Sequence, residues 1–470
     1  MNTLERAKQE FERLVDAGDF ASDSTVSDAL RLLRERRALD LSFLSPREQA
    51  DLIGSRSVDL LPSVDELRER TQAALAKGSA LHVKFGIDPT SPNVHIGHAV
   101  PMVLMSRFQR MGHRITLIIG DITASIGDPS GQSDERPPLT VEEIAANLAT
   151  YKSQIAPFFD FAKARLCNNS EWLAEYRLTD LLPLLAKIPV SQSMQRDDFR
   201  SRLSSGHSLT MAEQLYSVVM ALDSVELECD VEVGGLDQLL NMQMCRTLMA
   251  ASGQKPEIVC TVPLIEGTDG SGQKMSKSRG NCVAMTDPAG EIYGKLMSIP
   301  DRLIPNYLAA LTELTDAEIE RVQRRLGPRD AKHLLAATIV DTVHGAEAAL
   351  EARRSFLARF KSKRLSDAAD VPSTAIDDRR SVGELLIELG FSSSLSHSRR
   401  VADQDGLQLV VERGDGSTHN VKLSRKAVDL TSARLLREDG AAAAPHGPQD
   451  AVFLKLGRRA ARLLPRSTGR

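Results

Sequence analysis

Two short stretches carry side chains suited to phosphate chemistry. The first is His95-Ile96-Gly97-His98, where a loop with two prolines, DPTSPNV, gives way to the helical pattern AVPMVLMSRFQRMG. A helix start offers unpaired N–H groups and partial positive charge, both of which favour an anion. Two histidines three residues apart share one face of a first turn, and a glycine between them admits a ligand close to the backbone. On their own, such histidines suit capping or core packing equally well. The second stretch is Lys274-Met275-Ser276-Lys277-Ser278, in a loop with glycines at 267, 270, 272 and 280. Two ammonium groups on a glycine-rich loop can follow charge migrating onto a pyrophosphate, in a lid-like role. A solvated basic loop is the plain alternative.

The elements around these stretches follow from hydrophobic pattern. Leu81–Asp88 reads as a buried strand, residues 99–112 as a helix and HRITLIIGDI as the next strand. Strand, loop, helix, strand is a βαβ unit, and open α/β sheets bind ligands at the C-terminal ends of their strands. Residues 138–230 read as mostly helical. LECDVEVGG, LDQLLNMQMCRTLMAAS and PEIVCTVPLI then give strand, helix and strand before the lysine loop. The expected fold class is α/β, followed by an α-helical domain and a small α+β C-terminal domain. The expected divisions are a helical extension over 1–44, a catalytic domain over 45–286 and a helical domain over 287–360. A linker over 361–380 and the C-terminal domain over 381–470 follow. The extension is acidic and basic in near balance, which suits a solvated pair of helices or a partner-binding arm.

Composition removes other classes. The 470 residues carry 59 basic and 63 acidic side chains, a net charge of −4, so a uniformly basic nucleic-acid binder is excluded while one with local basic patches is not. Two such patches are free of acid: residues 353–364, and residues 451–470, which read as a short strand, AVFLKL, and a basic tail from residue 457. Five cysteines, none in CxxC spacing, argue against a disulfide framework or a structural zinc site and suit a reducing cytoplasm. No apolar run is long enough for a membrane span, and MNTLERAKQEFERL is unlike a secretory signal.

With HIGH after a first strand and KMSKS about 180 residues on, the chain resembles the class I aminoacyl-tRNA synthetases. GIDPTSPNVHIGH, GDITASIGDPSG, NNSEWL, VGGLDQ and YGKLMSIPD resemble the bacterial tyrosyl-tRNA synthetases in particular. Residues 381–437, with SHSRR, resemble the ribosomal-protein-S-four-like RNA-binding module that ends those enzymes. The resemblance implies a Rossmann-like (HUP-type) nucleotide-binding domain, an α-helical domain and a small α+β C-terminal RNA-binding domain. It implies activation of tyrosine with ATP and Mg²⁺, transfer to tRNA(Tyr), and a cytoplasmic homodimer. It implies catalytic roles for His95, His98, Lys274 and Lys277, and ATP contacts from Gly86, Asp88, Thr90, Gly97, Gly235, Asp237 and Lys277. It implies an amino-acid pocket of Lys84, Asp128, Tyr216, Met220, Asp223 and Gln238, with Asp223 meeting the phenol and no protein-bound metal.

The implied chemistry suits these residue types. An amino-acid carboxylate is already ionised, so its attack on the α-phosphate needs orientation and charge stabilisation rather than a general base. Three positions depart from the family pattern. Met220 replaces a usual glutamine, Leu236 replaces a hydroxyl residue, and Lys84 stands where some members carry a pocket tyrosine. These keep two rival readings open, a paralogue specialised for a tyrosine-like amino acid and an inhibitor-resistant second copy. A catalytically idle RNA-binding protein and a tryptophan enzyme are weaker rivals.

Overall fold

The computed structural model describes the chain except residues 1–2, 19, 21, 90–91, 93, 130–139, 195–196, 207, 277–278, 362–364, 368–370, 377, 405, 414–417, 439–449, 458 and 465–470. It divides into two compact units, Met1–Leu350 and Glu351–Arg470.

The first unit is built on a six-stranded sheet. Two helices come first, α1 (Thr3–Ala17) and α2 (Asp23–Ala38). Strands β1 (Leu60–Leu61) and β2 (His82–Ile87) lead to helix α3 (Ala99–Arg110), then β3 (Arg114–Ile119) and β4 (Ala164–Asn168). Helix α4 (Met211–Leu227) precedes β5 (Val231–Gly235), helix α5 (Leu239–Ala251) and β6 (Ile258–Val262). The order is β1-β6-β5-β2-β3-β4, with only β1 antiparallel. The five parallel strands thus run 3-2-1-4-5, a doubly wound sheet whose order reverses between β2 and β5. Strands covered on both faces should be apolar without alternation. In β6 all five residues are buried, and β3 buries everything after Arg114. Helix α3 closes one face with Val100, Met102, Leu104, Met105 and Phe108.

Strand β4 lies inside the stretch expected to be mostly helical. It is a five-residue edge strand that buries only Cys167, so its pattern carries no strand periodicity. The N-terminal extension is not a solvated arm. Val26, Leu30, Leu32 and Leu33 of α2 and Phe11 and Val15 of α1 are buried. Both helices pack on helix α6 (Asp316–His344), which is kinked at Gly327 ahead of Pro328. Ion pairs lie on either side of the kink. Arg36 grips Glu318 with two hydrogen bonds of 2.5 and 3.0 Å, both side chains buried. Arg34 and Arg37 reach Asp341 at 3.1 and 3.4 Å.

The second unit is a five-stranded sheet with short helices. Its strands are β7 (Ser373–Ala375), β8 (Leu407–Glu412), β9 (Thr418–Lys422), β10 (Ala451–Leu456) and β11 (Arg459–Leu464), in the order β7-β11-β10-β8-β9. Helices α7 (Val382–Glu388) and α8 (Leu395–Asp403) cover a core of Val382, Leu386, Leu409, Val411 and Leu454. Two sequence expectations change. Residues 373–375, expected in a linker, pair with β11, and residues 459–464, expected as tail, form that strand. Arg353 is buried, so it leaves the first basic stretch as a surface contact.

Candidate active site

The site lies where the sheet order reverses, at the C-terminal ends of β2 and β5. Strand β2 delivers Asp88. Its Oδ1 accepts from Thr123 Oγ1 at 2.8 Å and its Oδ2 from the Tyr216 hydroxyl at 2.7 Å. Gly120 makes this possible, because a Cβ there would lie 2.0 Å from Asp88 Oδ1 and 2.1 Å from Thr123 Oγ1. Burial and the charge of Asp88 hold the Tyr216 hydroxyl far above its usual range, so it stays a donor.

His95, Gly97 and His98 form a 3₁₀ turn leading into α3. His95 Nδ1 accepts from the Gly97 N–H at 3.2 Å, and the two imidazole centroids are 3.9 Å apart. A neutral ring whose Nδ1 accepts carries its proton on Nε2, the nitrogen farther from its own backbone. A Cβ on Gly97 would come within 2.9 Å of the His95 ring. Gly86 is exposed, with open space where a Cβ would stand.

The lysine loop is tied to this turn. Residues 283–285 pair with it through Ile96 N–H to the Val283 carbonyl at 3.0 Å and Met285 N–H to the Val94 carbonyl at 2.9 Å. Buried Met275 anchors the loop, its N–H on the Ile265 carbonyl at 2.9 Å. Lys274 Nζ reaches Asp237 Oδ2 at 3.2 Å, just beyond Gly235 at the end of β5. Thr90 and Lys277 lie outside the described residues.

Helix α4 lines the other side. Tyr216, Met220 and Asp223 are four and three residues apart and so share a face. Asp223 is buried; its Oδ1 accepts from Trp172 Nε1 at 2.8 Å and its Oδ2 from Asn169 Nδ2 at 3.5 Å. Burial lifts its carboxyl to about 7, against the pull of the Lys84 charge and of those two hydrogen bonds. Met220 packs, half-buried, against a core that includes Trp172, Leu222 and Met244. Gln238 Nε2 donates to Asp128 Oδ2 at 2.8 Å, and Asn241 holds Gln238 in turn at 2.8 Å. Lys84 is not presented to the cleft as a free cation. It is buried, and its Nζ lies 2.5 Å from buried Glu232.

The structure thus joins two groups of residues. Histidines, a helix N-terminus and Lys274 can hold a polyphosphate, with Asp237 for a sugar hydroxyl. Asp128, Tyr216 and Asp223 can hold an ammonium and a phenol. Sequence reasoning did not single out Gly120, Thr123, Asn169, Trp172 or Glu232 as site residues. Asn169 and Trp172 stand in NNSEWL, and Gly120 and Thr123 in GDITASIGDPSG, but nothing in either string says which side chain they meet.

A doubly wound nucleotide site carrying HIGH and KMSKS segments defines a class I aminoacyl-tRNA synthetase. Residues 76–361 match the family model of the class I tRNA synthetases (W and Y), and the chain belongs to that family. A tyrosine--tRNA ligase of Thermotoga maritima is 41% identical over 375 residues, covering 79% of this chain and 92% of that protein. One from Carboxydothermus hydrogenoformans is 38% identical over 376 residues, covering 78% and 91%. A tyrosyl-tRNA synthetase of Archaeoglobus fulgidus, solved with L-tyrosine, shares the fold at a TM-score of 0.53 and 20% identity, covering 65% of this chain and 99% of that one.

Proposed function

We propose that this chain is a tyrosine--tRNA ligase that forms tyrosyl-adenylate from tyrosine and ATP and then charges tRNA(Tyr). The observation that carries the choice of amino acid is buried Asp223, held by Trp172 opposite Tyr216 on one helix face. A buried carboxylate accepts a phenol O–H and gives phenylalanine, which has no donor, nothing to replace it. The similarity to bacterial tyrosine--tRNA ligases supports the same choice.

In the first step the tyrosine carboxylate attacks the α-phosphate of ATP. A phosphorus–oxygen bond forms to the carboxylate, and the bond to pyrophosphate breaks. His95, His98, the start of α3 and Lys274 stabilise charge on the phosphates. Lys277 belongs with them. Gly86, Thr90, Gly97 and Gly235 admit ATP, Asp237 accepts from its ribose, and Asp88 ties the ATP side to Tyr216. Asp128, Tyr216 and Gln238 receive the ammonium end, and Met220 lines the pocket wall. Mg²⁺ would accompany the nucleotide and offset part of its phosphate charge. In the second step a terminal ribose hydroxyl of the tRNA attacks the acyl carbon and AMP leaves.

The second unit binds RNA through local positive charge. Arg400, Arg459 and Arg462 are exposed there, while Arg399 is paired with Asp429 at 2.5 Å. The enzyme works in the cytoplasm, which fits its free cysteines. It works as a homodimer, which would cover the exposed Leu178, Leu182, Val190, Leu203 and Met211. Tyrosine-dependent ATP–pyrophosphate exchange tests the reading, with tryptophan, phenylalanine and tyrosine analogues as competitors. Absence of exchange with tyrosine, or a preference for another amino acid, would overturn it.

A further inference from the structure

The loop that joins β2 to the histidine turn is held from the side by the helix Val141–Ile155. Between β2 and His95 the described residues form neither strand nor helix. Such a loop leaves its carbonyl and N–H groups to be met by side chains or water. Three of them are met from this helix. Asn147 Nδ2 donates to the Pro89 carbonyl at 2.8 Å. Gln154 Nε2 donates to the Pro92 carbonyl at 3.0 Å, and its Oε1 accepts from the Val94 N–H at 3.0 Å. Tyr151 sets its ring nearly perpendicular to that of His98, with the centroids 6.5 Å apart. Spacings of four and three put Asn147, Tyr151 and Gln154 on one side of the helix.

The helix has a fixed base to hold from. Thr140 and Glu143 cap its start reciprocally at 2.9 and 3.2 Å. Ile144 and Leu148 pack with Ile119 of β3 and Leu166 of β4. Asn147 is buried in line with Ile144, Tyr151 and Ile155. An amide in such an apolar row costs free energy unless it is hydrogen-bonded, and the bond it makes is to the loop. Beyond the clamp the loop is tied at each end, Asp88 by Thr123 and Tyr216 and the Val94 carbonyl by the Met285 N–H. We propose that Asn147 and Gln154 are positioning residues for ATP: bonded to backbone groups of Pro89, Pro92 and Val94, they hold the loop and the histidine turn after it in the form that receives the nucleotide. They act through that backbone, by removing the cost of ordering it when ATP binds. This rests on the reading of the loop and the turn as the ATP side of the site.

The test is tyrosine-dependent ATP–pyrophosphate exchange in wild type, Asn147→Leu and Gln154→Met, which keep bulk and remove the hydrogen bonds. Gln154 is only half-buried, so Gln154→Met serves alone if Asn147→Leu does not fold. Losing a neutral hydrogen bond is worth about 2- to 10-fold in an equilibrium constant. The KM for ATP should rise by about that factor in each variant. The KM for tyrosine should stay within about 2-fold, because Thr123 and Tyr216 hold Asp88 independently. A merely structural role would lower kcat through the active fraction and leave both KM values alone. In ligand-free Gln154→Met the Val94 amide should exchange its hydrogen about 2- to 10-fold faster than in wild type, and ATP should protect it more strongly than it does in wild type. A wild-type KM for ATP in the folded variants, equal rises in both KM values, or unchanged Val94 exchange overturns the proposal. Failure of wild type to exchange with tyrosine would instead overturn the reading of function. The amide-exchange arm needs ATP and no amino acid, so it decides the clamp separately: equal protection by ATP in wild type and Gln154→Met overturns it.

Discussion

The indole Nε1 of Trp172 donates to the Asp223 carboxylate at 2.8 Å, and Trp172 is the chain's one tryptophan. The residue that orients the acceptor is therefore also a fluorescent reporter of it. Losing a hydrogen bond to a buried charged group is worth about 1.5–3 kcal/mol, so Trp172→Phe should lower kcat/KM for tyrosine by about 10- to 100-fold. Asp223→Asn should narrow the preference for tyrosine over phenylalanine by at least about 10-fold. Competitive exchange assays check both, and tyrosine titration should change wild-type Trp172 emission.

Free Asp223 titrates at about 7, and its ionised form is the stronger acceptor for the phenol O–H. The tyrosine KM should therefore fall as pH rises from 6 to 8 in wild type and stay flat over that range in Asp223→Asn. The sign for folding is the reverse. A carboxyl raised on folding favours the native state at low pH, and that contribution is lost as pH rises through about 7.

His98→Ala and Lys274→Ala remove groups placed for phosphate charge rather than for the amino acid. Each should lower kcat for exchange by about 10²-fold while leaving the tyrosine KM within about 2-fold. Asp237→Asn should act mainly on the KM for ATP. A tyrosine KM that rose in parallel with any of these would contradict the division of the site.

His113 is locked neutral. Its Nδ1 accepts from the Leu81 N–H at 3.3 Å, and Nε2 donates to Gln49 Oε1 at 3.0 Å. Burial lowers both His113 and His82 to about 4. An unfolded histidine titrates near 6.5, so between about 6.5 and 4 the unfolded chain binds protons that the folded one refuses. Stability should fall with pH through that window, and His113→Gln should flatten the fall. Thermal melts across the window read it.

Arg36→Met strands Glu318 without its cation in a buried site. The expected destabilisation is about 3–5 kcal/mol, read by urea unfolding. Arg36→Met/Glu318→Leu should regain most of it. In both variants the folded protein should keep its exchange activity, because neither residue belongs to the site.

Much of the site was legible because its chemistry is local. A helix start after a loop, two histidines on one turn and lysines among glycines are short-range facts, and the long apolar strands follow from burial on both faces. Strands with little burial were not legible. Residues 164–168 and 373–375, at sheet edges, and residues 459–464, between two strands, bury few side chains, and only their neighbours define them. Near balance of charge over residues 1–40 suggested a solvated face, yet Arg34, Arg36 and Arg37 find their acids about 300 positions away, which no periodicity records.

By itself the sequence determined the chemistry available: a phosphate-binding turn, a basic loop and a carboxylate on a helix face with Tyr216. These rest on spacing within one turn or one loop, and spacing survives any packing. Only the tertiary structure decided how those groups are tuned. Lys84 reads as a pocket cation in the sequence. The pairing of β2 with β5 buries it against Glu232, because side chains at matched register positions in adjacent strands must meet. Asp223 likewise is lifted to about 7 by burial, against the N–H groups of Trp172 and Asn169, which reach it from a segment more than 50 residues earlier in the chain. Burial and distance set that state, and neither exists before the chain folds.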